Sequence, residues 1–333
     1  MRISHFILML CCGLIAACSS ADIGFPREET LTQELMPLHG ITNPIRVEVK
    51  HPFLILQNLK RTDSLFHIYD LTGHVLKSAF GVIGQGPDDF VSPHLYNTPL
   101  SDILIGDINK NSVHRFGINE EGQPVSRGGA KHLNFIYDVY SAAFINDSLY
   151  VMDALYIAPC VYMLTLQDEM PRKSWQYRNP DIMDYYIDPD MGNVYAGESR
   201  IVFCYGYKKQ IDFMDTDFNL IKRVKFKFAH PVEVNSQNEG DVKTSYVYAY
   251  LGKRYLYAQF FGTSWKEHRA RSTRGTFLEV FDLDGNPVAR YHLEGRRPCH
   301  FAVDEETFTL YGAGEEGEPE DYLLVYKLKG LSQ

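Results

Sequence analysis

The 333-residue chain lacks most of the features that would assign it a chemistry. Its net charge of −9 disfavours nucleic-acid binding, which normally needs a basic domain. It contains no G-x-S-x-G and no H-E-x-x-H pattern, so the sequence predicts no catalytic residue, no metal ligand and no cofactor. Tryptophan is scarce, with 2 residues, against 22 tyrosines and 20 phenylalanines, a composition that favours β structure. No helical periodicity of ten residues or more appears after residue 30, which excludes a helical bundle.

The N-terminus has the pattern of an export signal. Arg2 precedes the uncharged segment Phe6–Ala17, which is too short for a spanning helix of ~20 residues. Small residues then lead into Cys18, and this arrangement resembles the lipobox of bacterial lipoproteins. The resemblance implies that residues 1–17 are a signal peptide, that Cys18 is lipidated, and that residues 18–29 form a tether to residues 30–330. The alternative is an ordinary signal peptide with a chance cysteine.

The remaining cysteines do not form a recognisable framework. Cys160, Cys204 and Cys299 are an odd number at spacings of 44 and 95 residues, with no C-x-x-C pair. Each lies in an apolar segment, so we expect buried free thiols.

A repeated β pattern fills the rest of the chain. Phe66–Leu76 and Leu278–Val288 share an aromatic-Asp-Leu-x-Gly sequence between alternating apolar residues, which predicts a hairpin. Aligned strand ends are separated by steps of 47, 48, 50, 67 and 45 residues, and they lie at Tyr69, Phe116, Leu164, Met214, Phe281 and Tyr326. Four steps match a four-stranded propeller blade of ~40–50 residues, and the long step implies an insertion in blade five.

The sequence therefore predicts an all-β fold, a six-bladed β-propeller with four antiparallel strands in each blade. The expected inner strands are Arg46–Lys50, His94–Asn97, Tyr137–Ala143, Tyr185–Asp188, Ser245–Leu251 and Cys299–Val303. The last blade lacks a fourth strand after Leu328. Thr30–Leu38 is expected to supply it and to close the ring, unless this segment is only tether.

One motif suggests a family. The segment Gly81–Phe90 matches G-x-x-G-x-G-P-x-[DE]-F through Gly81, Gly84, Gly86, Pro87 and Phe90. It resembles the corresponding segment of TolB-like and NHL-like six-bladed propellers, above all the lipoprotein members of Bacteroidetes. The motif itself has a structural interpretation: the glycines permit positive φ, and Phe90 is expected to fill the seam between two blades. The resemblance implies a fold and a compartment, and it assigns no substrate.

Candidate ligand-binding residues come from the predicted inner strands and the insertion. His94 and His300 begin inner strands, which border the channel. Tyr246, Tyr248 and Tyr250 alternate and are expected to point the same way, with faces suited to sugars or peptides. The basic segment Lys266–Arg274 contributes Arg269 and Arg271 for an anionic group. Core packing of the tyrosines and a solvated basic loop are the alternatives.

These observations favour a membrane-anchored lipoprotein of the bacterial cell envelope whose propeller is a non-enzymatic binding module, since the sequence contains no recognisable catalytic constellation. The expected partners are the membrane, through the lipid, and a glycan, a peptide or an envelope protein, with no nucleic acid. The outer membrane is the expected location. The alternatives are a periplasmic hydrolase or lyase acting at the channel mouth, and a structural scaffold in an outer-membrane complex.

Overall fold

The computed structural model describes residues 24–39, 43–59, 64–133, 139–154, 161–177, 188–229, 231, 233–270, 276–315 and 319–331. Within these ranges the chain forms six sheets arranged in a ring around a central channel, which confirms the predicted six-bladed β-propeller. The first strand of each blade borders the channel and the later strands lie progressively further out. Alternating apolar residues face neighbouring blades, so the core consists of the seams between blades.

Two short strands precede the blades, β1 (Glu28–Leu31) and β2 (Glu34–Pro37). Blade one contains β3 (Pro44–Lys50), β4 (Phe53–Asn58), β5 (Phe66–Asp70) and β6 (Val75–Phe80). Blade two contains β7 (Pro93–Tyr96), β8 (Ile103–Asp107), β9 (Ser112–Ile118), β10 (Pro124–Ser126) and β11 (Lys131–His132). Blade three contains β12 (Val139–Phe144), β13 (Leu149–Ala154), β14 (Val161–Thr165) and β15 (Lys173–Trp175).

Blade four contains β16 (Gly192–Gly197), β17 (Arg200–Tyr205), β18 (Gln210–Met214) and β19 (Leu220–Lys225). Blade five contains β20 (Tyr246–Leu251), β21 (Tyr255–Phe260), the helix α1 (Trp265–Ala270), β22 (Thr276–Asp282) and β23 (Pro287–Leu293). Blade six contains β24 (Pro298–Asp304), β25 (Thr309–Gly314) and β26 (Tyr322–Lys327). In the described ranges α1 is the one α-helix, and its six residues fall far short of a bilayer's thickness.

The N-terminal strands join two different blades. β2 pairs antiparallel with β26 and is the fourth strand of blade six, within the segment Thr30–Leu38. β1 pairs parallel with β23 and adds a fifth strand to blade five, which the sequence analysis did not predict. The N-terminal segment therefore crosses the seam between blades five and six.

The inner strand of blade four differs from the prediction. The sequence analysis expects it at Tyr185–Asp188, but the structure forms it as β16, at Gly192–Gly197. Gly197 pairs with Arg200, so β16 joins β17 through the two-residue turn 198–199. A strand ending at Asp188 would lie too far along the chain for such a turn. Tyr185 itself lies outside the described residues.

The extra residues of blade five are divided between two connections. One runs from the end of β19 at Lys225 to the start of β20 at Tyr246, and the other runs from Phe260 to Thr276 and includes α1. The single insertion implied by the long repeat step is therefore two longer loops. The second loop follows β21 at Phe260, which pairs with Tyr246, so it lies at the end of the channel where the inner strands begin.

The glycine-rich motif lies at the seam between blades one and two. Phe90 is 1% exposed, and its ring contacts Phe66 of blade one and His114 of blade two, with centroid distances of 5.5 and 4.7 Å. Gly81 has φ of 74°, and a Cβ there would lie 2.8 Å from the Phe66 ring. Any larger residue at Gly81 would both strain the backbone and displace this ring.

Candidate functional site

A cavity of about 360 Å³ lies in the channel near the end where the inner strands begin. We call this cavity the cup. All six inner strands contribute to its walls, and each supplies at least one polar side chain. These side chains are Arg46, His94, Ser141, Asn193, Tyr248 and His300. The cup is therefore a composite site that no single blade could form.

A β-bulge recurs near the start of four inner strands. One residue is left unpaired at position 45, 140, 247 or 299, and the residue after it lines the cup. The following residues are Arg46, Ser141, Tyr248 and His300. Because side chains alternate along a strand, one extra residue reverses the face on which all later side chains lie. In these four blades the bulge therefore determines which side chains reach the cup.

The floor of the cup is a set of hydrogen bonds that cross the channel. Tyr248 of blade five donates its hydroxyl to Asn97 Oδ1, which follows the inner strand of blade two, at 2.7 Å. Asn97 Nδ2 in turn donates to Glu48 Oε2 at 2.7 Å and to the Val47 carbonyl at 2.8 Å. These bonds join blades one, two and five across the channel.

Arg46 is the one fully charged side chain among the described residues that line the cup. No hydrogen bond or ion pair joins its guanidinium to any residue in the described part of the chain. Burial lowers the pKa of Arg46, and the facing Tyr248 and Tyr96 partly offset this effect. An arginine nevertheless stays protonated at neutral pH. The cup thus carries one uncompensated positive charge in a protein whose net charge is −9.

The two histidines on either side of Arg46 are neutral. Burial, assisted by Arg46 and His300, lowers the pKa of His94 to about 3. Burial, assisted by Arg46 and Arg297, likewise lowers the pKa of His300 to about 3. Both imidazoles therefore present one donor and one acceptor nitrogen at neutral pH. They are too weakly basic to act as efficient general bases there.

Two glutamines hold the strands that carry these histidines. Gln57 of blade one donates to the Pro93 carbonyl and accepts from the Leu95 amide, both at 2.9 Å. It is therefore hydrogen-bonded to the backbone on each side of His94. Gln259 of blade five donates to the Pro298 carbonyl at 2.8 Å, two residues before His300. Each glutamine belongs to the preceding blade, so it fixes the position of one histidine relative to its neighbour.

The structure brings together three of the predicted ligand-binding residues: His94, Tyr248 and His300 all line the cup. The expectation that Tyr246, Tyr248 and Tyr250 point the same way is wrong. The bulge at Val247 puts Tyr246 on the opposite face, where it is 1% exposed in the seam with blade four. Its hydroxyl donates to Glu279 Oε2 at 2.8 Å.

Tyr250 shares the face of Tyr248 but lies further along the strand. It is buried in the seam with blade six and borders a second cavity, of about 500 Å³, at the other end of the channel. Lys50 and Glu305 also line this second cavity. The tyrosine strand therefore serves two seams and two cavities, and only Tyr248 belongs to the cup.

The described part of the basic insertion, Lys266–Ala270, lies at the same end of the propeller as the cup but outside its walls. Arg269 is exposed on α1 and is absent from the cup lining among the described residues. His268 on the same helix contacts Glu315 Oε2 of blade six at 2.9 Å, and Arg297 donates to Glu315 Oε1 at 2.9 Å. Arg271 and Cys18 lie outside the described residues.

Four further residues of the cup were not predicted as site residues from the sequence: Arg46, Asn97, Ser141 and Asn193. The sequence predicts Arg46 on the inner strand of blade one, in an alternating charged and apolar segment typical of a solvent-facing strand. Its position near the start of that strand, equivalent to His94 and His300, was the available signal. Ser141 and Asn193 carry no such signal, because small polar residues occur throughout the loops.

Comparisons with known proteins support the fold. No protein-family model matches the sequence, and no curated protein sequence is detectably similar to it. Among solved structures, a candidate exported protein of Bacteroides fragilis is similar, with a TM-score of 0.56 and 9% identity over 90% of this chain and 98% of that chain. A member of the DUF4221 family from Bacteroides vulgatus has a TM-score of 0.56 and 15% identity over 89% and 96%. At these identities the similarity concerns the fold alone.

Proposed function

We propose that this chain is a lipid-anchored protein of the bacterial cell envelope whose propeller binds a small ligand in the cup. The observation that carries the proposal is the cavity in the channel to which all six blades contribute polar side chains, with a hydrogen bond from Tyr248 to Asn97 across the channel. Its volume of about 360 Å³ lies at the lower end of the range for ligand pockets, ~300–1,000 Å³. A ligand there would contact a rigid scaffold, because every wall belongs to a sheet.

The chemistry of the cup favours binding over hydrolysis or elimination. Its described walls contain no carboxylate, and histidines with a pKa of about 3 are poor proton acceptors at neutral pH. The open volume also favours binding over a purely structural role, since a scaffold gains stability from a filled channel. The similarity to a candidate exported protein accords with an envelope location.

Ligand-observed NMR with a defined panel would test the binding function. The panel contains neutral and acidic monosaccharides, disaccharides and dipeptides. We expect at least one compound to bind the wild type and to lose binding in Asn193→Trp, because the new ring would occupy the cup. Val125→Trp, on the exposed outer strand of blade two, is the matched control and should bind like the wild type. Equal binding by Asn193→Trp, or no binding at all, would refute a binding role for the cup.

The lipid anchor has a separate test. Cys18→Ser removes the thiol that the lipobox resemblance predicts to be acylated, so the protein should move from the membrane fraction to the soluble fraction and lose the mass of the acyl chains. Cys204→Ser is the control, because Cys204 is a buried free thiol in blade four. Unchanged fractionation and mass in Cys18→Ser would exclude lipidation.

A further inference from the structure

The cup contains a positive charge that the protein does not neutralise. Arg46 extends from the inner strand of blade one, and the walls on both sides of it, from blades two and six, carry the neutral His94 and His300. The nearest carboxylate along the strand, Glu48, is already engaged. It accepts from Lys50 Nζ at 2.5 Å and from Asn97 Nδ2 at 2.7 Å. Glu48 therefore does not serve as the counter-ion of Arg46.

An unpaired guanidinium in a partly buried site is costly to the folded protein. Arginine also presents several donors in a planar fork, the geometry that matches a carboxylate with two parallel hydrogen bonds. Arg46 lowers the stability of the folded protein, and its guanidinium has no hydrogen bond or ion pair to a described residue. A ligand that supplies the missing negative charge best explains its presence.

Two further polar atoms in the walls are available to a ligand. Ser141 Oγ and His300 Nδ1 are buried and have no hydrogen-bond partner among the described residues. Buried polar atoms in native proteins are nearly always hydrogen-bonded. Ser141 lies in blade three and His300 in blade six, so the two atoms approach the cup from opposite walls. They fit polar groups of a ligand whose anionic end contacts Arg46.

We propose that the cup binds a singly charged carboxylate compound, about the size of a sugar ring or an amino acid, with Arg46 as its counter-ion. This inference rests on the binding function proposed above. One guanidinium between neutral imidazoles matches one negative charge, whereas a doubly charged phosphate would retain an uncompensated charge in the cavity. The tyrosine rings of the cup supply flat apolar surface for the remainder of the ligand.

The first measurement needs no ligand. If Arg46 serves a ligand, Arg46→Met should have a Tm equal to or above that of the wild type, because it removes an uncompensated charge and keeps the apolar stem. If Arg46 supports the fold, the same change lowers the Tm. Arg269→Met is the matched control, since it removes the same charge from the same end of the propeller at an exposed position outside the cup. A Tm of Arg46→Met clearly below both proteins would overturn the proposal.

The second measurement uses sodium D-glucuronate, sodium N-acetylneuraminate and sodium benzoate as probes. Their neutral counterparts are, in that order, D-glucose, the methyl ester of N-acetylneuraminic acid and benzamide, and inorganic phosphate is the dianion. Affinities are measured at pH 8, where inorganic phosphate is mostly doubly charged, and at constant ionic strength. We expect at least one carboxylate to bind the wild type and Arg269→Met equally, and to bind Arg46→Met about 10- to 100-fold more weakly, as expected for a lost charged hydrogen bond. Its neutral counterpart should bind weakly to all three proteins.

Three outcomes overturn the inference: carboxylates that bind Arg46→Met as well as the wild type, a preference for phosphate, or no binding by any carboxylate probe. The two proposals fail separately. If neutral compounds bind and Asn193→Trp abolishes that binding, the cup remains a ligand site and only its preference for carboxylates is wrong. If Asn193→Trp leaves all binding unchanged, the cup is not the ligand site, and the binding function fails with it.

Discussion

At the end of the channel where the inner strands begin, the charged side chain of the cup has no partner among the described residues. At the other end, Lys50 Nζ lies 2.5 Å from Glu48 Oε1 and 2.5 Å from the Thr98 carbonyl. Glu305 there accepts from the backbone amides of Lys253 and Arg254. The two cavities share one channel, yet only at the second end are the buried charges paired within the protein. This difference separates a site that stabilises the fold from one that is available to a ligand.

The largest expected effect comes from breaking the satisfied end. Glu48 is fully buried and the Lys50 side chain is 8% exposed, so Lys50→Met leaves a buried carboxylate without its cation. We expect the free energy of unfolding to fall by about 3–5 kcal/mol at pH 8, measured by urea denaturation. Arg46→Met, at the other end, should show no such loss. A Lys50→Met protein within about 1 kcal/mol of the wild type would remove the distinction between the two ends.

The same variant has a predicted pH dependence. Burial raises the pKa of Glu48, and Lys50 partly offsets this increase. Without Lys50 the pKa in the folded state rises further above its unfolded value, so the native state binds a proton that the unfolded state does not. The stability deficit of Lys50→Met should therefore be smaller at pH 5 than at pH 8. An equal deficit at both values would show that the lost stability does not come from an unpaired carboxylate.

A smaller effect should distinguish the two tyrosines that the bulge at Val247 separates. Tyr246 donates to the buried carboxylate of Glu279, which also contacts Lys209 Nζ at 2.7 Å, so Tyr246→Phe should cost about 1.5–3 kcal/mol. Tyr248 donates to the neutral amide of Asn97, and Tyr248→Phe should cost only about 0.5–1.5 kcal/mol. Chemical denaturation of both variants measures the difference. Equal costs would mean that the charge of the acceptor does not matter at these positions.

At neutral pH the smallest expected effect is at the cup, because the protonation of its two histidines changes the stability only as the pH falls. His94 and His300 have a pKa of about 3 when folded and an ordinary value near ~6.5 when unfolded. Below the unfolded value only the unfolded chain gains protons, so stability falls as the pH decreases from ~6.5. Each histidine contributes a slope of up to about 1.4 kcal/mol per pH unit.

Replacing both histidines by glutamine should flatten the decline in stability between pH 6.5 and 5, measured by urea denaturation at closely spaced pH values. His132→Gln, at an exposed position on β11, is the control and should leave the slope unchanged. If the double variant keeps the wild-type slope, the two histidines are not held neutral in the folded protein.

The number of blades could be predicted from the sequence because each blade repeats a local pattern. Hairpins such as Phe66–Leu76 and Leu278–Val288 combine alternating apolar residues with an Asp/Gly turn, and both signals lie within about ten residues of chain. The inner strand of blade four was mispredicted because Tyr185–Asp188 is rich in the aromatic and β-branched residues that favour strands, whereas Gly192–Gly197 begins and ends with glycine. The two-residue turn into β17 selects the second segment.

The cup was less predictable because it depends on contacts between distant parts of the chain. The bond from Tyr248 to Asn97 joins residues 151 positions apart, and no local pattern indicates it. Tyr246, Tyr248 and Tyr250 alternate in the sequence, but the bulge at Val247 places Tyr246 on the opposite face of the strand. The alternation around Arg46 resembles a solvent-facing strand because the channel, like the exterior, accepts polar side chains.

The recurring bulges have a consequence for protein engineering. The residues that follow the bulges, at positions 46, 141, 248 and 300, are Arg, Ser, Tyr and His. The hydrogen-bonded strand pairs therefore tolerate side chains of very different size and charge at equivalent positions. A combinatorial library restricted to positions 46, 141 and 300 would vary the cup while it spares the cross-channel floor made by Tyr248. If the cup binds a ligand as proposed, selection from such a library would redirect the propeller toward new small molecules.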